Sequence, residues 1–117
     1  MVTLRRADWR DVWRLYRWRT DPVTARMAIA ATPTVVRHVL WLWRVLRDAD
    51  RDLYIAYARD GGEYFNGRAM SVGTARIDWH QRPPEGGVLE CEISVTVAPE
   101  WRGRGFAATI IQATVTR

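Results

Sequence analysis

"APEWRGRGFA" (residues 98–107) joins two stretches of opposite character. VLECEISVTVA (88–98) leads into it with the alternation of a strand: Glu90, Glu92, Ser94 and Thr96 share one face, Cys91, Ile93, Val95 and Val97 the other. Arg104 to Arg117 leads out of it, with Phe106, Ala107, Ile110, Ile111 and Thr114 at helical spacing. The β-branched residues make that helix weak on intrinsic propensity, so it depends on packing. A strand that turns through glycines into a helix aims several unpaired backbone N–H groups at one point, and the helix dipole adds partial positive charge there. Gly103 and Gly105 permit a close approach or a positive φ, Ala107 keeps the first turn slim, and Arg102 and Arg104 can add charge-assisted contacts. The junction suits a phosphate. A plain turn before a helix, with two solvated arginines, is the other reading of the same letters.

Two phosphate motifs fail on spelling. A Walker loop requires lysine, and the chain contains none. A dinucleotide fingerprint requires a third glycine, and Ala108 occupies its place.

Working outward, VTLRRA (2–7) reads as a strand and Asp8 as the cap of a helix, with Asp11 in capping-box position. Trp9, Val12, Trp13 and Tyr16 form its apolar stripe, and "WRTDP" (18–22) ends it, because Pro22 disfavours helical backbone at Asp21. Thr32 and Pro33 announce a second helix carrying Val36, Val39, Leu40, Trp43 and Leu46. DLYIAYAR (52–59) and AMSVGTARIDW (69–79) are strands, separated by a turn at Asp60-Gly61-Gly62, and QRPPEGG (81–87) is a loop. The order is β-α-α-β-β-β-α. Trp9, Trp13, Trp41 and Trp43 are read as core, and Cys91, alternating with glutamates, as a buried small hydrophobe.

At 117 residues, with 48% hydrophobic and 26% charged residues, the composition is that of one globular domain, 1–117. No apolar run is long enough for a membrane span, the N-terminus lacks a signal-peptide core, and the cytoplasm is the default compartment. One cysteine, Cys91, excludes an internal disulfide, and with only His38 and His80 beside it no metal site is expected. The net charge of +5 raises nucleic acid as a partner, yet all 18 basic residues are arginine and they are scattered rather than striped. A generally basic surface explains them, and no nucleic-acid partner is expected.

Arg102-Gly103-Arg104-Gly105-Phe106-Ala107 fits [Q/R]-x-x-G-x-[G/A], and in this it resembles the acetyl-CoA motif of the GNAT family of N-acetyltransferases. "ECEISVTVAPEW" resembles that family's fourth strand and its approach to the motif, and the element order is that of its first seven elements. "WRTDP" resembles the "WRNDP" of the branch that acetylates nucleotide-linked amino sugars and protein N-termini. The resemblance spans essentially the whole chain. It implies an α/β (α+β) fold with a mostly antiparallel central sheet flanked by helices. It also implies acetyl-CoA as co-substrate, with no metal. Backbone amides of Arg102 to Ala107 would hold the pyrophosphate, and the strand at Val95 and Val97 would pair with the pantetheine arm. A bulge in that strand would turn one amide toward the thioester oxygen. Glu92 becomes the candidate general base and Glu90 the second choice, against the simpler role of salt-bridged strand carboxylates. Asp21 could orient the acceptor or merely cap a turn, and Trp18 and Trp79 could line its pocket.

The chain also departs from the family pattern. A fifth strand, a fourth helix and usually two further strands follow the third helix there, and here Arg117 is the last residue. The family's acidic tyrosine has no counterpart, since Tyr16, Tyr54, Tyr57 and Tyr64 all lie upstream. Three explanations stand open: a C-terminally incomplete copy, a homodimer in which a second chain donates the missing strand, or a degenerate module. The expected activity is acetyl transfer to a primary amine of a small molecule or a peptide N-terminus. A non-catalytic acyl-CoA-binding or dimerisation module is the alternative.

Overall fold

The segments of period two pair in sequence order. In a computed structural model of the chain, which describes residues 2–23, 33–58, 69–81 and 90–116, strands β1 (Val2–Arg6), β2 (Arg51–Ala58), β3 (Met70–Gln81) and β4 (Glu90–Val97) form one antiparallel sheet in the order β1-β2-β3-β4. Helices α1 (Val12–Arg19) and α2 (Val35–Arg47) stand between β1 and β2, and α3 (Phe106–Thr116) follows β4. Among the described residues this is the expected β-α-α-β-β-β-α order. β3 runs through to Gln81, two residues beyond its expected end; the expected turn at 60–62 and most of the loop at 81–87 lie outside the described residues.

Alternation along β2 sends residues to opposite faces. Leu53 and Ile55 join Leu15 and Trp18 of α1 and Leu42 and Val45 of α2 in one buried cluster. Ala56 and Ala58 join Val72, Ala75 and Ile110 of α3 in the other. Each fully buried large aliphatic side chain contributes about 1.5–3 kcal/mol. The sheet is therefore a partition, with α1 and α2 on one side and α3 on the other. Gly73 permits the close approach of β3, β4 and α3, because a Cβ there would collide with the Thr96 carbonyl oxygen and sit 3.0 Å from Ile110 Cδ1.

The first helix begins as expected. Asp8 Oδ1 accepts from the Arg10 amide at 2.9 Å, and the Asp8 amide donates to Asp11 Oδ2 at 2.9 Å. A 3-10 turn over Trp9–Asp11 precedes α1 proper. Asp11 does more than cap. It is buried, and its Oδ1 accepts from Arg5 Nη2 at 2.6 Å and from Arg14 Nη1 at 3.2 Å. The same two guanidiniums donate to Tyr57 Oη at 2.9 and 2.8 Å. The bonds to Asp11 first, and then to Tyr57, hold Arg5 more firmly protonated than an ordinary arginine.

The helix stripes differ from expectation. Trp13 is 61% exposed, Trp9 is also exposed, and α1 buries Leu15 and Trp18 instead. On α2 the cap is Thr34, whose hydroxyl accepts from the Arg37 amide at 3.3 Å, while Thr32 lies outside the described residues. Val36 is 68% exposed, Leu40 and Trp43 are also exposed, and the buried face is His38, Leu42 and Val45. Trp41 and Leu46 pack partly buried beside it. The physical reason is that apolar residues occupy most sides of α2, with Arg37, Arg44 and Arg47 gathered on one side, so it offers more than one stripe. The one chosen contains a histidine because its ring is satisfied there. Arginine can only donate, so the Arg19 Nη1 contact at 3.0 Å makes His38 Nδ1 an acceptor, and Nε2–H donates to the Val12 carbonyl at 2.7 Å.

Burial first, and the Arg19 charge beside it, hold the His38 pKa below the ordinary imidazole value, with the Val12 carbonyl partly opposing. The unfolded chain then takes up a proton near the ordinary value of about 6.5 that the folded chain refuses, so stability declines as pH falls from about 6.5 toward the lower folded value. Urea midpoints measured between pH 7.5 and 5.5 should show this decline, and His38→Gln should flatten it. Asp11→Ala removes the carboxylate that Arg5 and Arg14 share and should destabilise the fold by about 1.5–3 kcal/mol in the same unfolding measurement. A change below about 0.5 kcal/mol would refute the linking role of Asp11.

Candidate active site

β4 is the last strand of the sheet, so one of its edges pairs with β3 and its other edge carries main-chain groups the sheet does not use. The pairing with β3 sets its faces. Glu92, Ser94 and Thr96 lie opposite Asp78, Arg76 and Thr74, whereas Cys91, Ile93, Val95 and Val97 lie opposite Trp79, Ile77, Ala75 and Gly73. Val95 and Val97 pack against the α3-side cluster. Glu92 therefore projects from the opposite face, on the side covered further along by α1 and α2.

This register corrects two expectations and sets the face of Trp79. Cys91 is exposed rather than buried, because α3 covers the Val95–Val97 end of β4 and leaves Ile93 and Cys91 uncovered. No offset interrupts β4 between Cys91 and Val97; the one shift against β3 falls between Trp79 and Gln81, so the expected strand bulge is not within those residues. Trp79 does not share a face with Glu92. Its Nε1 donates to Asp52 Oδ2 at 2.8 Å and its amide to the Asp50 carbonyl at 2.8 Å. Glu90 opens β4 opposite Gln81, and its side chain lies outside the described part of the structure.

Beyond β4 the chain is pinned, then turned. Ala98 is fully buried and its amide donates to the Val72 carbonyl at 2.7 Å. A 3-10 turn over Pro99–Trp101 follows, and Trp101 packs against both core clusters with Phe106 edge-on at 6.1 Å. Gly103 and Gly105 have φ of 76° and 79°, in the left-handed region that L side chains rarely adopt. A Cβ at either would meet nothing within 4 Å. The glycines are thus required by the backbone path, and the space before them is open. The first-turn amides of α3, from Phe106 and Ala107 onward, have no partners within their own helix. Arg104 lies over the Trp101 ring at 5.0 Å.

Arg102 is engaged on the protein side. Its Nη1 donates to Asp21 Oδ2 at 2.8 Å, bringing together a residue expected at the acceptor and one expected at the cofactor. Trp18, the third acceptor candidate, is 1% exposed in the helix-side core, which removes it from the surface. On the Glu92 face, Arg76 Nη2 pairs with Asp78 Oδ2 at 3.1 Å. Arg19 stacks 4.0 Å over Trp41, and burial first, then the Arg76 charge, lower its proton affinity. Glu92, Asp78 and Arg76 thus share the side of the sheet that α1 and α2 cover further along. No cluster of metal-ligating side chains occurs among the described residues.

Sequence reasoning missed the Asp11 cluster, the neutral His38 and the Asp21–Arg102 pair. The only trace of the last is a complementarity of sign, Arg17 and Asp21 against Glu100 and Arg102, which sequence cannot pair across the 81 residues separating Asp21 from Arg102.

A protein-family profile described as an acetyltransferase (GNAT) domain matches residues 1–117. Among solved structures, a domain from Methanocaldococcus jannaschii superposes with a TM-score of 0.74 at 17% identity, covering 99% of this chain and 68% of that one. The aminoglycoside acetyltransferase AAC(6')-Ib in complex with coenzyme A gives 0.70 at 24% identity, with 99% and 66% covered. Spermidine N-acetyltransferase from Vibrio cholerae, in complex with CoA and spermine, gives 0.69 at 15% identity, with 98% and 62% covered. The chain thus spans about two thirds of the length of these structures. No curated protein sequence matches it. With the profile matched from end to end and the glycine turn set between an edge strand and a helix start, the chain belongs to the GNAT acetyltransferase family.

Proposed function

We propose that residues 1–117 act as one acetyltransferase domain that moves an acetyl group from acetyl-CoA to a primary amine, on a small molecule such as an amino sugar or on a peptide N-terminus. The observation that carries this reading is the left-handed Gly103–Gly105 turn, open in front among the described residues, between the edge of β4 that no described strand pairs and the start of α3. A pyrophosphate fits such a turn because amides converge there and no Cβ intrudes. The amides of Arg102 to Ala107 hold it in this reading, and Arg104, over Trp101, lies close by to add charge. The β4 edge at Val95 and Val97 then serves the pantetheine arm as a pairing strand.

The chemistry needs no enzyme nucleophile. The amine nitrogen attacks the thioester carbonyl, the N–C bond forms, the C–S bond breaks and the thiol leaves. Positioning supplies much of the rate. The ammonium must first lose its proton, and Glu92 takes it directly or through water, with Glu90 as second choice. Support for Glu92 is its exposed position on the α1/α2 side of β4, beside Ser94 and across from Asp78. A cytoplasmic location accompanies this reading; no described helix is long and apolar enough to cross a membrane.

A thiol-release assay over amino sugars, polyamines and peptides is expected to show turnover with at least one amine. CoA binding with no turnover across the panel would instead favour a binding module. Glu92→Gln should lower kcat by roughly 10²–10⁴-fold with CoA affinity kept, and an unchanged rate would remove Glu92 from the role of base. Gly105→Val should cost about 1–2 kcal/mol in stability from its left-handed backbone. Titration calorimetry of the folded variant should also show CoA binding lost, whereas unaltered affinity would sink the phosphate-turn assignment.

A further inference from the structure

Two ion pairs join the end of α1 to the phosphate turn, and they do so in a fixed sense. Arg17 lies in the last turn of α1 and Asp21 just beyond its Thr20 cap. Glu100 and Arg102 flank Trp101 in the turn. Arg17 Nη2 meets Glu100 Oε1 at 3.1 Å, and Arg102 Nη1 meets Asp21 Oδ2 at 2.8 Å. Exchanging partners would set Arg17 on Arg102 and Asp21 on Glu100, so the signs permit only this alignment. The outer pair is exposed and screened; the inner pair is sheltered, its side chains 31% and 18% exposed, and it carries more of the effect. Asp21 Oδ2 also accepts from the Val23 amide at 3.2 Å, which fixes the carboxylate from its own side.

Immediately after Arg102 come the two left-handed glycines, the residues with the greatest backbone freedom to lose. A turn held at Ala98 by the Val72 carbonyl and at Arg102 by Asp21 reaches the ligand with part of that freedom already removed. We propose that Asp21 is a positioning residue for the cofactor turn: through Arg102 it presets the Gly103–Gly105 amides for phosphate, and it does not contact the acceptor amine. This rests on the acetyl-CoA reading above. It also changes the part given to Arg102, whose guanidinium serves as the anchor of the turn.

The test is titration calorimetry of CoA against the whole chain and its Asp21→Asn, Asp21→Glu, Arg102→Gln and Asp21→Asn/Arg102→Gln variants, with folding of each checked by circular dichroism. Asp21→Asn is expected to weaken CoA about tenfold, the equivalent of about 1.4 kcal/mol, with the KM of the acceptor amine unchanged. Asp21→Glu, which keeps the charge, should recover most of the loss, and the double variant should be no weaker than the worse single one. Three results would overturn the proposal: a raised amine KM with CoA affinity intact, tighter CoA binding in Asp21→Asn, or additive losses in the double variant. If Asp21→Asn fails to fold, the folded Arg102→Gln variant decides, since undiminished CoA affinity there also refutes the anchor. Failure of the unaltered chain to bind CoA would overturn the acetyl-CoA reading and this proposal together, and it is told apart from the other results because it precedes any substitution.

Discussion

A single buried carboxylate sets the frame. Asp11 sits between the guanidiniums of Arg5 on β1 and Arg14 on α1, and both guanidiniums reach on to Tyr57 of β2. A carboxylate out of water is costly unless its charge is matched and its lone pairs are filled, and here two arginines and a backbone amide do both. The consequence is directional. Because the partners come from two strands and the helix itself, α1 can cross the sheet in one way only.

The position of α1 then propagates. Its buried Leu15 and Trp18 meet Leu42 and Val45 of α2 over Leu53 and Ile55. His38 spans the same seam, bonded at one nitrogen to the Val12 carbonyl and at the other to Arg19. The far end of α1 delivers Arg17 and Asp21 to the turn beyond β4. A carboxylate cluster at one end of a helix is thus linked to the glycine turn at the other. The intervening sheet keeps the chemistry sorted, with Val95 and Val97 on the α3 side and Glu92 on the side of Arg76 and Asp78.

Legibility in the sequence followed the range of the interaction that decides each feature. The element order, the Asp8–Asp11 cap and the glycine turn rest on residues close together in the chain, and all three could be read directly. The tryptophans could not. Trp9 and Trp13 near α1 and Trp43 on α2 sit at helical spacing yet lie exposed, because apolar spacing alone does not declare which face of a helix meets the sheet. Cys91 failed for a related reason: alternation gives its face, and only the length of α3 decides whether anything covers that face. His38 is absent from the expected apolar stripe, and it becomes core because a carbonyl on α1 and a guanidinium satisfy both nitrogens.

By itself, the sequence determined that this chain forms strands and helices in the GNAT order and turns through Gly103 and Gly105 into a helix start. These follow from backbone preferences and periodicities that act over a few residues. Tertiary structure alone decided that Asp21 meets Arg102, that Trp18 is core, and that Trp79 and Glu92 face opposite ways. Each of those depends on strand register or on contacts between residues far apart in the chain, where a one-residue slip would reverse a face and no local preference speaks.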